Sequence, residues 1–342
     1  MRHSTKYIVS PIYDHLFFIW PPMIFLGLGA LAWWSGASEW QFSYDGHQYN
    51  TVFSFALAFT MAHVFAVFFR THLNKQIFQL YPYRFTVVPL LFFLGLMYSQ
   101  LFFVFAVVFI VWFDVYHSSM QTFGFGRIYD MRAGNDATKG RRLDYFLALF
   151  MYAGPILAGV SLFTHIDVFA RFESIDFMEL AAVPGWAEQH NQDIAALIII
   201  SATVFLGYYL YSYWKLYQNG YTVSWPKVML FSSLTVCSVQ SWAFNSFGQA
   251  FFIMECFHAL QYFAMVWWSE KSNMQTVFHT KNLPFSKQIT FTIFFSISFS
   301  FGIFAVLATR DIKLTVAVLQ IVQFLHYWYD GFVWSVRKKQ VA

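Results

Sequence analysis

Hydrophobic residues in this chain fall into ten runs, each close to membrane-crossing length, separated by shorter segments that hold most of the charge. A helix rises about 1.5 Å per residue, so about 20 apolar residues cover the hydrocarbon core of a bilayer. The runs lie near 16–35, 50–69, 84–99, 101–123, 144–165, 193–213, 226–243, 246–269, 287–308 and 312–336. The third and fourth are almost continuous, and a tight turn fits only at Met97-Tyr98-Ser99-Gln100. The pattern predicts an all-α polytopic transmembrane bundle of about ten helices, a single integral membrane domain over 1–342. Gly154-Pro155 predicts a kink in the fifth helix. Gly27, Gly29, Gly159 and Gly248 suit close helix approach.

The polar segments orient the bundle. Basic residues follow the second run (Arg70, Lys75, Arg84), the fourth (Arg127, Arg132, Lys139, Arg141, Arg142), the sixth (Lys215, Lys227) and the eighth (Lys271, Lys281, Lys287). They return at the C-terminus in Arg337-Lys338-Lys339. The alternate segments carry Glu39 and Asp45, or Asp167, Glu173, Asp176, Glu179, Glu188 and Asp193; Arg310 and Lys313 beside Asp311 form one mixed case. The positive-inside rule then places both termini in the cytoplasm, with 124–143 as a basic cytoplasmic loop. Segment 166–192 becomes an extracytoplasmic loop whose mixture of aromatic and acidic residues suits the interface.

Composition supports this reading. Hydrophobic residues make up 58% of the 342, aromatics 23% and charged residues only 11%, more apolar side chain than a soluble core absorbs. The net charge of +4 is small and its basic residues sit in loops, so no nucleic-acid partner is expected. The polar first fifteen residues do not read as a cleaved signal peptide. The expected location is a bacterial inner (cytoplasmic) membrane, among membrane lipids. Cys237 and Cys256 both fall in apolar runs, so neither a disulfide framework nor a cysteine zinc site is expected.

Four apolar runs nevertheless contain a histidine. They are His63; His117 with Asp114; His258 with Glu255; and His326 with Asp330. Ionisable groups at membrane depth are costly and are kept where they pair, line a water path or bind something. Positions i, i+3 and i+4 share a helix face. Asp114, His117 and Gln121 therefore form one stripe; Glu255, His258 and Gln261 a second; Gln323, His326 and Asp330 a third; and Thr60 precedes His63 by three. These four runs are all even-numbered, so in the oriented bundle they run the same way. Each histidine precedes the first charge at the cytoplasmic end (Arg70, Arg127, Glu270, Arg337) by seven to twelve residues. That puts all four about 10–18 Å from the boundary, in one layer.

The layer predicts a metal site with ligands among His63, Asp114, His117, Glu255, His258, His326 and Asp330. Nitrogen and oxygen donors suit iron first, then zinc, manganese or copper. The carboxylates serve either as ligands or as acceptors orienting an imidazole. Thr60, Gln121, Gln261 and Gln323 are supporting candidates, as are His72 at the cytoplasmic rim and His15 at the start of the first helix. Asp14 reads as a helix N-cap. His165, His190, His3, His47 and His279 read as surface residues.

The function expected from this pattern is a membrane-embedded, non-haem-iron oxidoreductase or oxygenase. Its substrate would be lipophilic, such as a lipid, isoprenoid, quinone or carotenoid, with a cytoplasmic electron donor as partner. The competing readings are a haem protein with axial histidines, and a transporter of metal ions or protons. The Asp114/His117 and Glu255/His258 spacings resemble the Glu-x-x-His pairs of helical di-iron carboxylate proteins, which leaves both one and two irons open. His326/Asp330 has the opposite order. The histidine boxes of membrane fatty-acid desaturases are absent. Membrane carotenoid dioxygenases resemble the chain loosely, as polytopic bundles with buried histidines.

Overall fold

The computed structural model describes residues 6–308 and 312–334. His3, Arg310, Asp311 and Arg337-Lys338-Lys339, used above for placement and orientation, lie outside the described residues. Helix α1 (Pro11–Asp14) continues as a π-helical turn, His15–Ile19, and α2 spans Pro21–Trp34 at 52° to it. A hairpin of β1 (Gln41–Tyr44) and β2 (His47–Asn50) precedes α3 (Thr51–Arg70), α4 (Lys75–Leu80), α5 (Pro82–Tyr98) and α6 (Gln100–Arg132). Next come α7 (Arg141–Ala158), α8 (Leu162–Ile166) with a 3-10 extension Asp167–Ile175, α9 (Met178–Ala181), α10 (Val183–Gln189) and α11 (Asn191–Gln218). Then follow α12 (Trp225–Ser238), ending in a π-helical turn Val239–Ala243, α13 (Phe247–Val277), α14 (Ser286–Leu307) and α15 (Lys313–Val333).

All ten expected segments are helical. Among the described residues, five helices (α3, α6, α11, α13 and α14) are long and apolar enough to cross a membrane, and up to seven if each of two bent pairs counts as one span. This is compatible with an integral membrane protein. The clearest physical sign is α11. Only 6% of its most apolar stretch is buried, and Leu197, Ile200, Val204 and Leu210 are all 60% exposed or more. In water such a stripe would be an exposed patch; in lipid it is solvated.

Local chemistry sets the helix ends. The α5–α6 junction falls where expected: Ser99 is extended, and its Oγ accepts from Phe102 N at 3.2 Å. The hairpin turns on Asp45-Gly46, both at positive φ, as a tight two-residue hairpin turn requires. Asn50 then caps α3 by accepting from Phe53 N, and Asn74 caps α4 through Ile77 N. Asp14 is not an N-cap. Ser10 takes that role through Tyr13 N, while the Asp14 carboxylate reaches back to accept from the amides of Ile8, Val9 and Ser10.

The fifth expected helix is not continuous. Its axis turns through 99° between α7 and α8. The break falls at Gly159, after Gly154-Pro155, because the backbone of the π-helical turn after α12 comes too close for a side chain. A Cβ at Gly159 would lie 2.7 Å from the carbonyl oxygen of Trp242. Gly27 and Gly248 have nothing nearby, so they are not close contacts, whereas Gly302, not singled out by its sequence, abuts the Ala58 carbonyl.

The chain divides into two compact units. The first holds Met1–Gly27 and Val111–Met254, the second Leu28–Ile110 and Glu255–Ala342. In the second, α3 is packed by α14 and α15. Its ring contacts with α14 run in opposite chain directions, Phe65 with Phe301 and then Phe69 with Phe294, so these two helices are antiparallel. In the first, α7 packs against α11 and α12.

Candidate metal centre

The second unit brings three of the four expected histidines together. His63 on α3, His258 on α13 and His326 on α15 each offer a ring nitrogen, and the three lie within 4.8 Å of one another. The imidazole of His63 sits 4.9 Å from both the others by ring centroids, nearly edge-on to each. All three residues are at most 1% exposed. The helical stripe read from the sequence explains how: each histidine occupies the face its helix turns toward the interior of the unit.

The contacts along these helices advance in one chain direction. After the histidines, Arg70 pairs with Glu270 and donates to the Val333 carbonyl at 3.3 Å. The α3, α13 and α15 helices therefore run parallel, as expected of even-numbered runs. The charges used to place them are themselves buried. Arg70 and Glu270 are 6% and 1% exposed and paired with each other, and Arg127 is 4% exposed. They are buried members of ion pairs.

Beside the histidines stands a polar group that sequence inspection did not single out. Tyr262, one turn beyond His258, packs its ring 4.6 Å from that of His326 and 5.7 Å from that of His63. Its hydroxyl donates to Oδ1 of Asp330 at 2.9 Å, and Trp334 Nε1 donates to the same oxygen at 2.9 Å. The other oxygen, Oδ2, lies 3.9 Å from Nε2 of His326. Trp334 lies under the Arg70 guanidinium at 4.5 Å, and Asn74 donates to Glu270 at 2.9 Å. With 20 Tyr and 13 Trp in the chain, nothing in the sequence distinguishes Tyr262 and Trp334. An Asp–Trp spacing of four on one helix was the available signal.

The remaining candidates are placed as follows. Glu255 is 2% exposed, one turn before His258, and lies outside the gathered set. Thr60 and Gln261 are buried, and Gln323 is half-buried with its amide 3.4 Å from the Met61 sulfur. His72 sits beyond α3 in an aromatic nest of Phe68, Phe78, Phe85 and Tyr329, with Nδ1 3.0 Å from the Thr71 hydroxyl and Nε2 3.2 Å from the Phe85 carbonyl. Burial lowers its pKa, against a smaller upward effect of the Phe85 carbonyl. It is half-buried there. Asp114, His117 and Gln121 belong to the part of α6 in the first unit, with His117 buried and the other two half-buried. His15 is also there, its Nδ1 2.7 Å from the Pro11 carbonyl.

Among the residues expected at the surface, His47 and His279 are exposed and His190 is half-buried against Trp186. His165 is not a surface residue: it is 6% exposed, packed against Trp242 and Phe247, with Nδ1 2.8 Å from the Ser161 carbonyl.

The first unit holds a second buried polar cluster. Arg127 and Lys227 each contact both Asp130 and Asp144, at 2.6 to 2.9 Å. Tyr209 and Tyr213 donate to Oδ1 of Asp144 at 3.0 and 2.7 Å, and Tyr221 donates to Asp130. Arg127 also donates to the carbonyls of Ala137 and Lys139, tying the 133–140 loop to α6. Burial, followed by the bond to Asp130, pushes the Tyr221 hydroxyl pKa far up. Arg127 and Lys227 were counted above as loop charges setting orientation; both are interior partners of aspartates. No protein-family model matches the chain, and neither a curated protein nor a solved structure matches it.

Proposed function

We propose that the protein is a membrane-embedded, metal-dependent oxidoreductase or oxygenase acting on a lipophilic substrate, with His63, His258 and His326 holding the ion. The supporting observation is the gathering of three imidazoles from three helices within 4.8 Å in an apolar interior. Each neutral imidazole presents a lone pair, and three such donors suit a transition metal and leave coordination positions open. Iron is the favoured ion. Bound there, it supplies dioxygen and one-electron chemistry that side chains lack.

The residues around the histidines are buried, and the rings of Tyr262 and Tyr327 pack against them. A polar substrate would lose its hydration to reach that layer, whereas a lipid, isoprenoid, quinone or carotenoid loses little. The proposal includes ten spans with both termini in the cytoplasm of a bacterial cell and a cytoplasmic electron donor. The apolar runs in the sequence motivate the span number, of which five to seven helices have spanning length and composition among the described residues, and the distribution of loop charges supports the orientation.

The test is elemental analysis and optical spectroscopy of the detergent-purified, full-length protein. About one non-haem iron per chain and no Soret band are expected, with the iron lost in His258→Ala. A folded wild-type protein that takes up no iron, zinc, copper or manganese would overturn the proposal. A Soret band would replace it with the haem reading.

A further inference from the structure

Asp330 stands beside His326 in the second unit, and its two oxygens have different surroundings. Oδ1 accepts two hydrogen bonds, from the Tyr262 hydroxyl and the Trp334 indole, both at 2.9 Å. Those donors come from α13 and from the residue just past α15, so the carboxylate is held from two sides. Oδ2 faces Nε2 of His326 at 3.9 Å.

We propose that Asp330 is a positioning residue for His326 rather than a ligand of the ion, and that Tyr262 and Trp334 position Asp330 in turn. This rests on the three-histidine reading above. Metal-ligating histidines commonly give their second N–H to a carboxylate, which fixes ring orientation and tautomer and raises the basicity of the ligating nitrogen. An Asp330 clamped through Oδ1 has Oδ2 on the His326 side. A shift of about 1 Å shortens the 3.9 Å separation to a charge-assisted hydrogen bond. His326 would then carry its proton on Nε2 and offer Nδ1 to the ion. The helical spacing suits the role, because residues four apart share a face.

The geometry also explains why the pair has the order His-x-x-x-Asp, opposite to that of Asp114/His117 and Glu255/His258. A partner four residues later lies where the Tyr262 hydroxyl, four residues beyond His258 on the parallel helix α13, can reach it. The clamp and the histidine group are therefore produced by the same alignment of α13 with α15.

The test is titration of the metal-stripped, full-length protein with cobalt(II), read by its visible ligand-field bands and by bound cobalt per chain. Wild type should bind about one cobalt, and His326→Ala should lose it. Asp330→Asn should keep the stoichiometry and band pattern but bind about 10- to 100-fold more weakly. Tyr262→Phe should shift affinity in the same direction by less, since Trp334 still holds Oδ1. Asp330→Asn losing cobalt as completely as His326→Ala, or changing the band pattern, would make Asp330 a ligand and overturn the inference. Wild-type affinity in Asp330→Asn would overturn it too. In either case the three-histidine site would stand if His63→Ala and His258→Ala lose cobalt. A wild type that binds no cobalt would overturn both. Circular dichroism of each variant separates loss of binding from loss of fold.

Discussion

Each unit holds a buried polar cluster, and the two clusters differ in kind. In the first, two cations meet two anions: Arg127 and Lys227 against Asp130 and Asp144, with tyrosine hydroxyls on the remaining carboxylate oxygens. The cluster is balanced in charge, and its bonds close on themselves. In the second, three groups of one kind meet: His63, His258 and His326. Three neutral imidazoles bring lone pairs and no charge to offset, and in the function proposed above a metal cation would join them. Burial alone does not identify a functional site. The sign and kind of the partners decide whether a buried polar cluster holds the protein together or holds something else.

The largest effect that would break this contrast concerns metal content. His63→Ala should abolish stoichiometric metal while Lys227→Met leaves it at the wild-type level, as measured by elemental analysis of both proteins. Loss of metal from both variants would mean that the first cluster also serves the site. Next in size is stability. Removing one cation from the buried ionic cluster leaves an aspartate uncompensated, which costs about 3–5 kcal/mol. Arg127→Met should therefore lower the thermal midpoint in detergent far more than His63→Ala does in metal-free protein. The converse order would reverse the assignment of structural and functional roles.

A third effect tests the packing beneath the histidines. Gly302→Ala pushes a methyl group into the Ala58 carbonyl, which sits one turn and a half before His63. Overpacking of this kind costs roughly 1–3 kcal/mol. A smaller loss of stability, seen in denaturant titrations, would show that α14 can move away from α3. The smallest effect concerns pH. His72 has a lowered folded-state pKa, so the unfolded chain binds its proton first. Stability from this residue is present above the ordinary imidazole value near pH 6.5 and falls as pH drops through it. His72→Gln should flatten the dependence of stability on pH between 7 and 5. An unchanged slope would assign that dependence to other groups.

Much of the helical pattern was legible in the sequence, and the reasons are visible in particular elements. The expected 50–69 and 287–308 coincide closely with α3 and α14, because apolar runs ending at a cap or a charge leave little choice. The α7 break was misplaced because its cause is tertiary: the backbone at Ala243 approaches Gly159, and no local propensity records that. The hairpin was missed although Asp45-Gly46 between β-prone residues announces it. In the site, helical periodicity found the three gathered histidines, since a face is a local property. It could not say that Tyr262 and Trp334 converge on Asp330, because that depends on how α13 and α15 align. Nor could it say that Arg127 and Lys227 are interior. A charge near the end of an apolar run reads as a boundary marker until its partner is seen.

The exposure of α11 bears on how this protein can be handled. Most soluble helices are held by neighbouring side chains; the central stretch of this one is largely exposed apart from its packing on α7. Its surroundings are thus part of its fold in the literal sense. Exchanging lipid for a short-chain detergent should loosen α11, and with it the Tyr209 and Tyr213 hydroxyls that α11 contributes to Asp144. The choice of solubilising medium therefore acts on the ionic cluster as directly as a substitution would.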